Sequence, residues 1–245
     1  MKHIISFGGG QNSPALIYAL RELNIPIDEI IFANVGDGCE MPETYIFLDE
    51  FEKWCKKEGL KFTKIRSCYG NVKEYYESKK LIPFRMFRSC SHRFKVININ
   101  HYLRDNYTKE EVTIYLGIGI DESKRATKFS SFETKLKKYR FPLIELGIDR
   151  KRCVEIIKEM GLSVPVKSGC WFCPFNTKKT WAVLLKEHPD LYEEGIKFEK
   201  NCKEYPKATL LGTKTLESLK SDIKNQTRLV EDEFGISKCV ICDVM

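Results

Sequence analysis

The chain has 245 residues, a net charge of +7, 42% hydrophobic and 31% charged residues. That length suits one large domain or a domain with an appendage, and no run approaches the ~20 apolar residues of a membrane span. The start, "MKHIISFGGG", lacks the long apolar core and cleavage site of a secretory signal. The expectation is therefore a cytoplasmic protein, away from membranes.

In chain order, "KHIISF" reads as a buried strand and "SPALIYALRELN" as a helix with Pro14 in its first turn. "IDEIIFANV" is a second strand, "ETYIFLDEFEKWCKKEG" an amphipathic helix ending at Gly59, and "KFTKIRS" a third strand. Residues 69–110 are aromatic and basic. "EVTIYLGIGI" is a further strand, followed by the polar "DESKRATKF". "KYRFPLIELGI" reads as a loop, and "DRKRCVEIIKEMG" as a helix capped by Asp149. "VPVKSGCWFCPFNTKKTW" is too rich in Gly, Pro and Cys for regular structure. Helices interrupted at Pro189 follow, and from about residue 206 the chain is polar with weak periodicity. The β-α-β-α-β order implies a doubly wound parallel α/β sheet. The expected organisation is a nucleotide-binding α/β domain over residues 1–165 and a helical, cysteine-bearing region over 166–245.

The first strand-to-helix junction carries Gly8, Gly9 and Gly10, then Gln11, Asn12 and Ser13. Glycines let backbone N–H groups approach an anion, and the helix N-terminus adds positive potential. A tight turn is the plainer reading, but it rarely needs three glycines. The spacing matches neither G-x-x-x-x-G-K-S/T nor G-x-G-x-x-G. Asp37 and Glu40, after the second strand, sit where an adenosine ribose or Mg²⁺ would lie. Asp121, Glu122, Lys124 and Arg125 follow a later strand, at the end of a parallel sheet that borders a ligand crevice. There Arg125 or Lys124 would hold a phosphate or sulfate and Asp121 a metal or hydroxyl, unless the loop is merely solvated.

Ten cysteines is a high count for a reducing compartment, so clustered ones point to metal ligands or reactive sulfur. Cys55, Cys153 and Cys202 read as small buried hydrophobes. "GCWFCPF" puts Cys170 and Cys173 on one knuckle, which suits zinc or an iron–sulfur cluster and also a redox dithiol. Cys90 lies beside Arg88, Arg93 and Lys95, which favour a thiolate. Three corners of a 4Fe–4S cluster at Cys90, Cys170 and Cys173, a zinc site, a metal-free dithiol and merely buried cysteines all stay open. Cys239 and Cys242 form a second C-x-x-C pair, read as further zinc ligands, a sulfur-carrying tail or incidental. Lys79 to Arg104 combines seven basic residues with Phe84, Phe87 and Phe94. It is a nucleic-acid candidate, although the aromatics also suit a core. Trp171 and Trp181 read as packing residues, and His92 and His101 as non-ligands.

"SFGGGQNS" resembles the S-G-G-x-D-S loop of the PP-loop ATP pyrophosphatase superfamily. "FANVGDGCEMPETYIFLDEF", "RSCSHRFKVININHYLR", "LGIGIDESKRA" and "FPLIELGIDRKRCVEIIKEMGLSVPVKSGCWFCPF" resemble, in order, further segments of its PAPS reductase-like branch, particularly phage and mobile-element members. The resemblance spans about residues 3 to 200. It implies the adenine nucleotide alpha hydrolase-like fold. It also implies ATP bound by Ser6, Gly8, Gly9, Gly10, Gln11, Asn12 and Ser13, with Mg²⁺. An acceptor would be adenylated with release of pyrophosphate, and a sulfurtransferase step would follow at Cys90 and the knuckle. The acceptor would be a nucleobase or a nucleic acid such as tRNA or DNA, with a sulfur-donor protein as partner and a homodimer as a compatible assembly. Ser13, Cys90, Asp121 and Arg125 are the expected catalytic residues. Asn12 departs from the superfamily's loop aspartate, which weakens the expectation of ATP cleavage relative to nucleotide binding. Two other readings remain: a PAPS or adenylyl-sulfate reductase, and a non-catalytic nucleotide- or nucleic-acid-binding module.

Overall fold

The computed structural model describes residues 1–86 and 89–234, with side chains through Asn225 and without that of Ser130. Phe87, Arg88, Cys239 and Cys242, singled out above, lie outside the described residues. Two compact units emerge: Met1–Gly70 with Ser91–Gly169, and Asn71–Cys90 with the chain from Cys170 onward. The second unit is thus built from two separated stretches. Residues 71–90, which chain order alone assigns to the first domain, pack with the C-terminal half.

The first unit is an α/β fold. Its elements are β1 (Lys2–Phe7), α1 (Asn12–Glu22), β2 (Glu29–Asn34), α2 (Pro42–Lys57) and β3 (Phe62–Arg66), then α5 (Ile97–Asn106), β4 (Val112–Leu116), β5 (Lys137–Arg140), the short α6 (Pro142–Glu145) and α7 (Arg150–Glu159). The five strands run in the order β3-β2-β1-β4-β5, all parallel. β1 is central, and its alternate residues feed two cores. Ile5 and Phe7 pack with Leu16, Leu20, Phe51 and Ile156 on the face bearing α1, α2 and α7. Ile4 packs with Ile31, Leu103 and Ile114 on the face bearing α5. Burial on both faces explains why β1 and β2 read as near-continuous apolar runs.

Two expectations are corrected. "KYR" lies in the strand β5, not in a loop. It is a four-residue edge strand that pairs with β4 and is bridged at Lys137 to Thr134, so it tolerates the charges that hid it. The polar tail contains the helix α10 (Leu216–Phe234), anchored by buried Leu216 and Leu219, whose apolar stripe was too thin to show as periodicity.

The second unit holds α3 (Val72–Ser78), the single turn α4 (Ser89–Ser91, whose last residue belongs to the first unit), α8 (Lys178–Glu187), α9 (Pro189–Lys200) and α10. Trp171, Trp181, Tyr192 and Phe198 form its buried centre. Asn71 caps α3 by accepting from the Lys73 and Glu74 N–H groups, and Thr177 caps α8 through the Thr180 N–H. Among the described residues no helix is long and apolar enough to cross a membrane.

Candidate functional site

The strand order reverses beside β1, which lies between β2 and β4. A doubly wound sheet opens a crevice at that switch point, beyond the carboxyl ends of the strands. The glycine loop leaves β1 there, and the stretch Gly117–Ile120 leaves β4 beside it. The two are packed backbone to backbone. A Cβ on Gly117 would lie 2.9 Å from the carbonyl carbon and oxygen of Asn12, closer than side chains approach. Gly9 adopts a φ of 75°, a left-handed conformation that glycine takes without strain.

Within the loop, the Gly8 N–H donates to Ser13 Oγ at 2.9 Å, and the Ser13 N–H donates to the Gly10 carbonyl at 3.2 Å. Ser13 is 7% exposed. Ser6 lies in β1, in register with Ile31 and Leu116. Gln11 precedes α1 without capping it, and its side chain donates instead to the Pro165 carbonyl at 3.2 Å. No acidic side chain occupies the first turn of α1, which leaves the helix terminus positive. Asn12 Oδ1 is buried without a hydrogen-bond partner among the described residues. A Cβ on Gly119 would lie 2.6 Å from Asp121 Oδ1 and 3.7 Å from Asn12 Nδ2. The Asp121 carboxylate therefore shares a corner with the loop. Arg125 does not point to a ligand in the same way: it is exposed and ion-paired with Glu122 at 2.8 Å, three residues earlier at a kink in the chain.

After β2 the chain turns through Gly36 and Gly38, both at positive φ. Tyr45 braces this turn. Its hydroxyl donates to the Gly36 carbonyl at 2.9 Å and accepts from the Cys39 and Glu40 N–H groups, each at 3.1 Å. Burial, opposed by those two N–H donors, pushes the Tyr45 phenol up to about 12. Glu40 is buried, its Oε1 paired with Lys95 at 3.0 Å and its Oε2 without a hydrogen-bond partner among the described residues. Asp37 is exposed, accepts from Asn34 Nδ2 at 2.8 Å and pairs with Arg66 at 3.5 Å. Asn34, Asp37, Tyr45 and Arg66 line a cleft of about 230 Å³ at the ends of β2 and β3.

Sequence reasoning does not single out Thr44 or Ser168, and it reads Lys95 as a neighbour of Cys90 and not as a partner of Glu40. Thr44 is fully buried near Gly9, Ser168 sits against Gly10, and Lys95 holds Glu40. The signals were faint: a threonine after Pro-Glu, a serine before a glycine, one lysine among many.

The thiols belong to the second unit. Cys170 and Cys173 are half-buried on a tight turn closed by the Cys173 N–H to the Cys170 carbonyl at 3.0 Å. Asn176 fastens that turn, donating to the Trp171 carbonyl at 2.9 Å, and Arg85 Nε donates to the Pro174 carbonyl at 2.5 Å. Cys90, also half-buried, follows Ser89, whose hydroxyl meets Tyr76 Oη at 3.2 Å. Burial raises the Tyr76 phenol, the Ser89 hydrogen bond opposes this, and charge on Cys90 and Cys170 adds to it. Among the described residues, no three His, Cys, Asp or Glu side chains gather as a set that could hold a metal ion. Cys55 and Cys153 are buried, and burial pushes each thiol up to about 12. Phe94, Trp171 and Trp181 are buried, while His92 and His101 are exposed.

No protein-family profile matches the chain. It is 28% identical over 224 residues to the uncharacterised protein MJ0066 of Methanocaldococcus jannaschii, covering 85% of this chain and 43% of that protein. It is 24% identical over 146 residues to the uncharacterised nin region protein ORF290 of Escherichia phage lambda, covering 51% of this chain and 50% of that protein. The chain thus spans half or less of the length of these curated relatives. Among solved structures it overlaps the U34-tRNA thiolase NcsA of Methanococcus maripaludis, solved with its 4Fe–4S cluster, at a TM-score of 0.48 and 17% identity. That overlap covers 84% of this chain and 70% of the thiolase. It also overlaps the phosphoadenylyl-sulfate reductase of Candida auris, in a phosphate complex, at a TM-score of 0.45 and 11% identity, over 67% and 75% of the two chains.

Proposed function

We propose that this chain is a PP-loop enzyme of the PAPS reductase-like kind, which binds ATP at Gly8–Ser13 and uses it to adenylate an acceptor for sulfur transfer. The observation that carries the reading is the glycine loop at the switch point, pressed against Gly117 and leading into a helix with no acidic side chain in its first turn. In the reaction an acceptor oxygen attacks the α-phosphorus, the bond to the β-phosphate oxygen breaks, and pyrophosphate leaves. Loop N–H groups and the Ser13 hydroxyl stabilise the charge that develops on the phosphates. Mg²⁺, when bound, shields that charge. It takes one or two carboxylates beside phosphate oxygens, and Asp121, at the corner shared with Asn12, fits that role. Glu40 already faces Lys95 and serves better as an anchor for that lysine than as a metal ligand.

The sulfur chemistry is assigned to Cys90, Cys170 and Cys173 as thiolates. Their donor chemistry suits an iron–sulfur cluster or zinc. As they stand they do not form a gathered ligand set, so no step is routed through a metal. A nucleobase in tRNA or DNA is the proposed acceptor, with a sulfur-donor protein as partner, cytoplasmic placement and a homodimer as the proposed assembly. Pyrophosphate release from ATP by anaerobically purified protein tests the enzyme. Iron and zinc analysis of the same preparation, with its visible spectrum, tests the metal.

Asn12 favours one second reading. A neutral side chain in place of the loop aspartate would suit a module that holds nucleotide without cleaving it. ATP binding without any pyrophosphate release, across acceptors, would select that module.

A further inference from the structure

The segment 165–169 lies across the glycine loop and is tethered at both ends within the first unit. Gln11 Nε2 donates to the Pro165 carbonyl at 3.2 Å, and the Met41 N–H donates to the Gly169 carbonyl at 3.3 Å. Between these tethers Ser168 comes down on the loop. Its Oγ lies 3.0 Å from the point that a Cβ on Gly10 would occupy, and its backbone nitrogen lies 3.7 Å from that point. Its Cβ is 3.7 Å from the corresponding point on Gly9. A glycine at position 10 is what lets the two segments meet.

An independent observation points to a missing ligand at the same place. Thr44 is 0% exposed, and its methyl carbon lies 3.4 Å from the Cβ point of Gly9. Its hydroxyl has no hydrogen-bond partner among the described residues, and neither does Asn12 Oδ1. A buried polar atom left unpaired costs about 1–3 kcal/mol. Of the two, the Thr44 hydroxyl can donate to a ligand oxygen, whereas Asn12 Oδ1 only accepts and needs a donor or a cation, so a bound anion would satisfy the threonine and not the asparagine oxygen.

We propose that Ser168 is a phosphate-binding residue, its hydroxyl donating to the phosphate chain held at Gly8–Ser13. This rests on the nucleotide reading above and adds a donor from a segment distant in sequence. It also explains a small hydroxyl-bearing residue at the position that presses on Gly10, where a larger side chain would fill the space a phosphate needs.

The test is equilibrium titration of the full chain and its Ser168→Ala and Ser168→Thr variants with ATP, inorganic pyrophosphate and adenosine. Loss of one hydrogen bond to a charged group predicts that Ser168→Ala weakens ATP and pyrophosphate about tenfold. Adenosine binding should be unchanged, and Ser168→Thr should retain most of the phosphate affinity. An alanine variant that binds ATP like the parent overturns the role of Ser168 and leaves the nucleotide reading standing. Equal weakening of ATP and adenosine also overturns it, since that is the mark of a purely structural strap. A parent chain that binds neither ATP nor pyrophosphate overturns the nucleotide reading itself, and the inference with it.

Discussion

The two compact units hold their candidate chemistry with different materials. In the first, the site is made of backbone and of residues with little or no side chain: Gly8, Gly9, Gly10, Ser13, and Gly117 pressed on Asn12. In the second, it is made of side chains on an irregular turn: Cys170 and Cys173, with Cys90 drawn in from a separate stretch of chain. The first arrangement is a consequence of topology, because any doubly wound sheet opens a crevice at its switch point. The second depends on which loops happen to pack together. Two of the buried carboxylates, Glu29 and Glu199, show the same contrast. Glu29, at the head of β2, is satisfied by side chains, namely Lys61 at 2.8 Å, Thr63, Tyr102 and Tyr107. Glu199, in the second unit, is satisfied by backbone, accepting from the Leu210 N–H at 2.7 Å and the Leu216 N–H at 2.8 Å.

The largest expected effect breaks the first site at its backbone contact. Gly117→Val places a side chain where Asn12 backbone lies at 2.9 Å. Overpacking of this kind costs about 1–3 kcal/mol of stability, and a displaced loop that loses a similar energy of binding should weaken ATP by about 5- to 150-fold. Urea unfolding and ATP titration check both. The matching change in the second unit is Cys173→Ser. Sulfur transfer should be lost, while ATP affinity, measured by the same titration, stays within about twofold, as expected if the two sites contribute independently. A large fall in ATP affinity would show that the two chemistries are not separable.

The carboxylates sharpen the comparison through pH. Burial would raise Glu29, but hydrogen bonds from Lys61, Thr63, Tyr107 and Tyr102 outweigh it, so its carboxyl lies below the ordinary value of 4.5. Its folded form binds fewer protons than its unfolded form. The stability it contributes is present above pH 4.5 and is lost as pH falls through the folded value. Burial raises Glu199 above 4.5, against the lowering effect of the Leu216 and Leu210 N–H groups. Its linkage has the opposite sign: the stability of its surroundings falls as pH rises from 4.5 through the raised value. Hydrogen exchange followed between pH 6 and 4 should show protection falling around β2 and rising around residues 210–216. Glu29→Gln and Glu199→Gln should each flatten the corresponding trend.

The smallest effect concerns the spare thiols. Cys55 and Cys153, buried and pushed up to about 12, should resist iodoacetamide at pH 8 in the folded chain. Cys68 is exposed and should be labelled. Peptide mass mapping reads this directly, and fast labelling of Cys153 would mean that the contact between α1 and α7 opens readily.

These contrasts also explain what the sequence could and could not convey. The glycine loop, the strands β1 to β4, the capping role of Asp149 and the break at Pro189 were legible because each rests on local chemistry. β5 was not, since a short edge strand carries Lys137, Lys138 and Arg140 and lacks an apolar pattern. α10 was not, because Leu216 and Leu219 alone anchor its described part in the core. The places of Ser168 and Thr44 were illegible for a different reason. Both depend on packing between segments far apart in sequence, and neither residue type announces a role by itself. The grouping of residues 71–90 with the C-terminal stretch is equally non-local, and it determines which unit Cys90 joins.

The account stands most directly on the amides of Gly8 to Ser13. Their hydrogen exchange, measured with and without Mg²⁺ and ATP, is the deciding measurement. Marked slowing confined to that loop and to residues 165–169 is predicted. Unchanged exchange there, under conditions where ATP is bound, would contradict it.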